Sequence, residues 1–207
     1  MSRLEARVAT FLLAALLGAP AGAQRVPQDL ALRWTEVATG VWRAEAGVPE
    51  RVSLLGIAGG HPQRDALARI GDAAFPLERA AIHAQRIDGK VVLRLPLGAR
   101  EQLYGLGLSF RALQQRGSVK ELHVDHFGGT DNGRTHAPVP FYVSSAGYGV
   151  LIDAARYVTV YAGSAVRKDA KHPPVVRDRN LDKQWSAQPL SDAVEVLVPA
   201  SGATVYV

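Results

Sequence analysis

Within fourteen residues, from His123 to His136, the chain gathers three of its six histidines, His123, His126 and His136. The same stretch holds Asp125, Asp131, Asn132, Arg134, Thr130 and Thr135. Gly128-Gly129 and Gly133 let the backbone bend sharply among them. Three kinds of chemistry suit such a set. A polyhydroxyl ring needs paired acceptors and donors at the rim of a cleft, and Asp125, His126, Asp131, Arg134 and His136 supply both. A nearby aromatic ring, Phe127 or Tyr142, would stack on the face of such a ligand. A metal ion could take His123 and Asp125, which share one face of a strand, together with His126, but the spacing fixes no third ligand. The plainest reading is a Gly-rich surface loop whose polar side chains close turns.

Other candidates are weaker. Gly105-Leu106-Gly107 is too short and apolar to cradle a phosphate, and with no helix behind it reads as a strand bulge. Nothing in the spacing pairs Asp153 with Asp178. Ser144-Ser145 lacks the turn motif of a nucleophilic serine. Trp34, Trp42 and Trp185 read as core. With no cysteine in the chain, disulfides, thiolate catalysis and Cys-ligated zinc are excluded.

The N-terminus has the pattern of a secretory signal peptide. Arg3 and Arg7 precede the apolar run Val8–Leu17, and Ala21-Gly22-Ala23 offers a small-residue cleavage site before Gln24. Ten apolar residues make roughly 15 Å of helix, about half of a ~30 Å hydrocarbon core, which is short for a membrane anchor. Residues 1–23 are therefore expected to be removed and the protein exported to the periplasm or outside the cell. No span that crosses a membrane is expected after cleavage. Losing two arginines and one glutamate moves the net charge from +5 to +4. The basic residues are scattered, so a nucleic-acid partner is not expected.

Residues 24–207 have the patterning of one all-β domain. Asp88-Gly89 between Ala81–Ile87 and Lys90–Leu95 is the signature of a tight hairpin. Val91, Leu93 and Leu95 fall on one face. Val92 is the apolar member of the other, so the sheet is expected to be covered on both sides. Strands are also expected at 33–38, 41–46, 51–57, 103–108, 119–125, 139–145, 148–153, 157–162, 193–198 and 203–207. Gln24–Leu32 reads as a lead-in. Pro138 and Pro140 point to an edge or a bulge at the entry to their strand. Arg167–Pro189 reads as a long loop anchored by Trp185. Only Gln63–Ile70 and a turn at Phe110–Gln115 have helical character. Short strands with turn signals every ~8–12 residues predict an antiparallel β-sandwich with few short helices.

The middle of the chain resembles a known family. The residues that carry the likeness are Leu103-Tyr104-Gly105-Leu106-Gly107 with Phe110, a strand ending in Asp125, Pro138 with Pro140-Phe141-Tyr142-Val143-Ser144, and Gly147-Tyr148-Gly149-Val150 with Ile152-Asp153. They are similar to the N-terminal domain of glycoside hydrolase family 31, which includes retaining α-glucosidases and α-xylosidases. The resemblance implies a supersandwich of the galactose-mutarotase-like type. It also implies a catalytic (β/α)8 barrel, normally C-terminal in the same chain, that holds both carboxylates of the reaction. The chain halts at Val207 inside an apolar strand and reads as truncated before that barrel. No residue here is then catalytic, and no metal or cofactor is implied. What remains is carbohydrate binding by the loop at about 123–136, with Asp125 at the position of the family's sugar-contacting aspartate. An exposed apolar patch is expected where the barrel would dock.

Two departures bear on the sugar. Gly107 is followed by Leu108-Ser109 where the family usually has Gly-Glu, and His123-Val124 precedes the aspartate in place of an aromatic and an amide. Ordinary α-glucosidase specificity does not follow from the resemblance. Two alternatives stay open: a free-standing carbohydrate-binding module, and a mutarotase-like isomerase using His123 or His136 with Glu121 as acid and base.

Overall fold

The computed structural model describes residues 27–59, 73–109, 112–124, 134–164 and 190–207. They form two six-stranded antiparallel sheets with almost no helix. The first sheet runs β1 (Gln28–Leu30), β4 (His83–Ile87), β5 (Lys90–Pro96), β11 (Leu190–Val198), β10 (Val158–Ser164) and β7 (Ser118–Leu122). The second runs β2 (Leu32–Ala38), β3 (Val41–Gly47), β12 (Gly202–Tyr206), β9 (Tyr148–Ile152), β8 (Phe141–Ser144) and β6 (Leu103–Gly105). The sandwich expected from the pattern is the fold that forms.

Alternation explains the layering. Val91, Leu93 and Leu95 point inward from β5, beside Val194, Val196 and Val198 of β11, and each is at most 1% exposed. Tyr142, Val150, Ile152 and Val205 do the same from the second sheet. These side chains make one continuous core, each large one contributing about 1.5–3 kcal/mol by leaving water. The outer face of the first sheet is covered as well: Val92, Tyr161 and Glu195 are buried there, and Arg94 Nη1 reaches Glu195 Oε1 at 3.1 Å.

The hairpin at Asp88-Gly89 forms with Ile87 opposite Lys90. Both turn residues have positive φ, 48° and 75°, as a type I′ turn requires. The turns at Thr39-Gly40 and Ala146-Gly147 likewise join β2 to β3 and β8 to β9.

Some expectations fail for local reasons. Arg51–Ile57 is not a strand. Leu54–Ile57 (α1) is one helical turn, because Ser53 Oγ accepts the Gly56 N–H and so caps it. The lead-in contains β1, whose three residues pair with β4 before the chain crosses to the other sheet at Leu32. β6 stops at Gly105, because three successive residues there take positive φ. Pro138 and Pro140 lie just before β8, which sits inside its sheet between β9 and β6, so neither an edge nor a bulge is needed. Residues 1–26, Gln63–Ile70, Phe110 and the whole 167–189 loop with Trp185 fall outside the described residues. No helix among the described residues is long and apolar enough to cross a membrane.

Leu93→Ala should cost about 2–5 kcal/mol of unfolding free energy, the range for an unfilled core cavity. Val143→Ala, on the outer face of β8, should cost less than about 1 kcal/mol. Urea denaturation of both variants checks the assignment of faces; equal losses would contradict it.

Candidate functional site

The candidate loop rises from the end of β7. The strand finishes at Leu122, and His123 N–H turns back to the Glu121 carbonyl at 2.7 Å. Val124 then forms a parallel bridge with Thr135. The two ends of the loop are therefore hydrogen-bonded neighbours. Asp125, His126 and Asp131 lie between them, outside the described residues, as does Phe127.

Arg134 and His136 are described. Arg134 is exposed, and its Nε reaches Glu121 Oε2 at 3.2 Å. His136 is half-buried on the segment leading to β8. The structure thus brings Arg134 against β7, where it links the two ends of the loop through their side chains. Glu121, the carboxylate considered for acid–base work, is the partner in that pair.

His123 packs its ring edge-to-face against Tyr157, with centroids 4.3 Å apart. Its Nδ1 is buried without a hydrogen-bond partner. Tyr157 is 68% exposed and helps line an open groove of about 520 Å³ with Leu54, Ile57, Leu122, Pro138 and Pro140. Most of this lining is apolar. The groove's far wall is fixed by polar contacts: Asp153 Oδ1 accepts the Leu55 N–H at 3.0 Å, and Arg156 grips Glu50, with Nε to Oε2 at 2.8 Å. Hydrogen bonding from Arg156 holds the Glu50 carboxyl below its ordinary range.

Tyr142 is not available as a stacking platform. It points inward from β8, is 1% exposed, and belongs to the core. Among the described residues, Tyr157 and Phe141 are the aromatic side chains exposed near the loop root. By its sequence pattern Tyr157 is the first residue of a strand, whereas β10 begins one residue later. Among the described residues, no three His, Asp or Glu side chains converge as metal ligands. Two of the three metal candidates, Asp125 and His126, fall outside them.

Glu101 organises the frame behind the loop. Its Oε1 accepts from Ser144 Oγ and from Tyr148 Oη, and its Oε2 accepts the Gly98 N–H at 2.7 Å. Arg116 Nη1 donates to the Gly98 and Glu101 carbonyls at 2.6 and 2.7 Å. Burial, then the bond to Glu101, raises the Tyr148 phenol well above its ordinary value. Burial also raises Tyr142, whose hydroxyl has no partner, well above its ordinary value, and raises Tyr161.

Comparison with known proteins bears on this arrangement. Residues 65–160 match the glycosyl hydrolase 31 N-terminal galactose mutarotase-like domain. An alpha-xylosidase of Lactiplantibacillus pentosus, XylQ, is 37% identical over 71 residues, which are 34% of this chain and 9% of that protein. An alpha-xylosidase of Emericella nidulans is 35% identical over 97 residues, 45% of this chain and 12% of that protein. The matched stretch is thus a small part of either relative. A Flavobacterium johnsoniae family-31 dextranase, solved with glucose, superposes with a TM-score of 0.51 at 14% identity, covering 89% of this chain and 25% of its own. That likeness shows the fold.

Removing the Tyr142 and Tyr148 hydroxyls should have opposite effects. Tyr142→Phe deletes an unpaired buried group and should be neutral or stabilise by about 1 kcal/mol, while Tyr148→Phe breaks a bond to a carboxylate and should cost about 1–3 kcal/mol. Below pH 10 these phenols are protonated in both states. Above it the unfolded chain ionises while Tyr142, Tyr148 and Tyr161 resist, so stability should fall as pH rises from 10 towards their raised folded values. Denaturant midpoints measured from pH 8 to 11 check this; a flat profile above pH 10 would contradict it.

Proposed function

We propose that this chain, a sandwich of the glycosyl hydrolase 31 N-terminal type, is the sugar-contacting domain of an exported retaining α-glycoside hydrolase. The observation that carries the reading is the extent of the family match. It runs through residues 65–160, across the loop, its pinned ends and the strands that frame it. The chemistry belongs to a (β/α)8 barrel elsewhere in the protein, where one carboxylate attacks the anomeric carbon and a second acts as acid and then base. The sandwich supplies the loop at about 123–136. Asp125 accepts hydrogen bonds from sugar hydroxyls, and His126, Asp131, Arg134 and His136 surround it.

Physical chemistry favours this division of labour. A carboxylate accepting from hydroxyl groups makes the stronger, charge-assisted kind of hydrogen bond, which fixes a ring's orientation. A binding loop serves best on a rigid base, and the sandwich is one. The apolar groove beside Tyr157, with the exposed Leu108, Val139 and Phe141 nearby, fits a face that packs against the barrel. Because both relatives are named as alpha-xylosidases, α-xylosides are the first substrates to try. Residues 1–23 direct export.

In the whole gene product, Asp125→Asn should lower kcat/KM for an aryl α-xyloside or α-glucoside by about 10–100-fold, the worth of one hydrogen bond to a charged acceptor. The mature protein should begin at Gln24 by N-terminal mass spectrometry. Unchanged kcat/KM in the variant would remove Asp125 from the site. No turnover of any α-glycoside by the natural enzyme would overturn the reading.

A further inference from the structure

The Gly105-Leu106-Gly107 run has an unusual backbone. Its three residues take successive positive φ values of 112°, 64° and 100°. For leucine this conformation costs roughly 1–2 kcal/mol, and it is held by burial, since the Leu106 side chain is 2% exposed in the core. Such strain persists only where the surroundings over-determine it. Here the surroundings are the segment between the loop and β8. A Cβ on Gly105 would lie 2.7 Å from the Phe141 carbonyl oxygen. A Cβ on Gly107 would lie 2.4 Å from the Ala137 carbonyl oxygen and 3.0 Å from Thr135 Cγ2. Glycine is thus required for backbone to meet backbone at this distance.

The approach is used for hydrogen bonding. Leu106 N–H donates to Phe141 O at 2.8 Å and Leu108 N–H to Ala137 O at 3.2 Å. Thr135 closes the set. It is 7% exposed, its Oγ1 donates to the Leu108 carbonyl, and its backbone bridges Val124 across the loop root. One residue therefore joins both ends of the loop to the glycine strap.

The geometry points to Thr135 as a positioning residue for sugar binding. It acts through the loop it pins and does not touch the sugar, and its fixed support is Leu108, held in place by the Gly105–Gly107 strap. This rests on the functional reading above. It also gives the glycine run a role that is neither a phosphate cradle nor a plain bulge.

The test uses the whole gene product with Thr135→Val, which keeps the shape and removes the hydroxyl, and Thr135→Ser, which restores it. Hydrogen exchange at the Leu108 amide and KM for an aryl α-xyloside are read side by side. Thr135→Val removes the donor to the Leu108 carbonyl, so the strap should open more often, freeing the Leu108 amide from the Ala137 carbonyl. Exchange and KM should each rise by about 10-fold, the scale of one lost hydrogen bond, and Thr135→Ser should return both to near the natural values. Unchanged exchange in Thr135→Val overturns the clamp. Faster exchange with unchanged KM overturns the positioning role and leaves Thr135 merely structural. A natural enzyme inactive on every α-glycoside overturns the functional reading instead, while exchange at Leu108 still decides the clamp.

Discussion

Two sheets that each carry one apolar face must bury those faces on one another, and the architecture here follows from that constraint. A slip of one residue in any strand would send its core side chains to the other face. The register is therefore held along whole strands. Leu93, Val196, Val160 and their neighbours stay inward, while Arg94, Glu195 and Tyr161 stay together on the opposite face. A frame held this rigidly can carry a long polar excursion without rearranging. The excursion after β7 leaves and returns at one bridge, Val124 with Thr135.

At the edge formed by β6 the constraint takes another form. Strand pairing runs out at Gly105, yet the following residues remain bonded to 137–141 through the strained strap. The cost of the Leu106 conformation is offset by its own burial. Glu101 and Arg116 brace the start of β6 from the other side, through Ser144, Tyr148 and the carbonyls of 98 and 101. The loop root is thus tied to the core by backbone and by buried polar groups.

Much of the fold was legible in the sequence. Alternation at Val91, Leu93 and Leu95, the Asp88-Gly89 turn and the turns at Gly40 and Gly147 all express local rules, and each formed as read. What could not be read depended on distant partners. Ser53 caps a single turn that looks strand-like in composition. The Gly105–Gly107 backbone is set by carbonyls about 30 residues away in sequence. Tyr142 looked like a ligand-facing aromatic because alternation alone does not say which face of β8 is inner. For the site, the cluster of His, Asp and Arg residues was visible as composition, and Arg134 and His136 stand at the loop's return. The pinning of both ends through Thr135, and the edge-to-face contact of His123 with Tyr157, depend on the three-dimensional arrangement.

The 123–136 loop is proposed to meet sugar in an active site whose chemistry lies in a barrel outside this sandwich. A photoreactive α-xyloside, cross-linked to the whole gene product and mapped by mass spectrometry, addresses it most directly. The account predicts labels within residues 123–136 together with labels in the barrel, all suppressed by excess free ligand. Competable labels confined to other regions, with 123–136 unmodified, would contradict it.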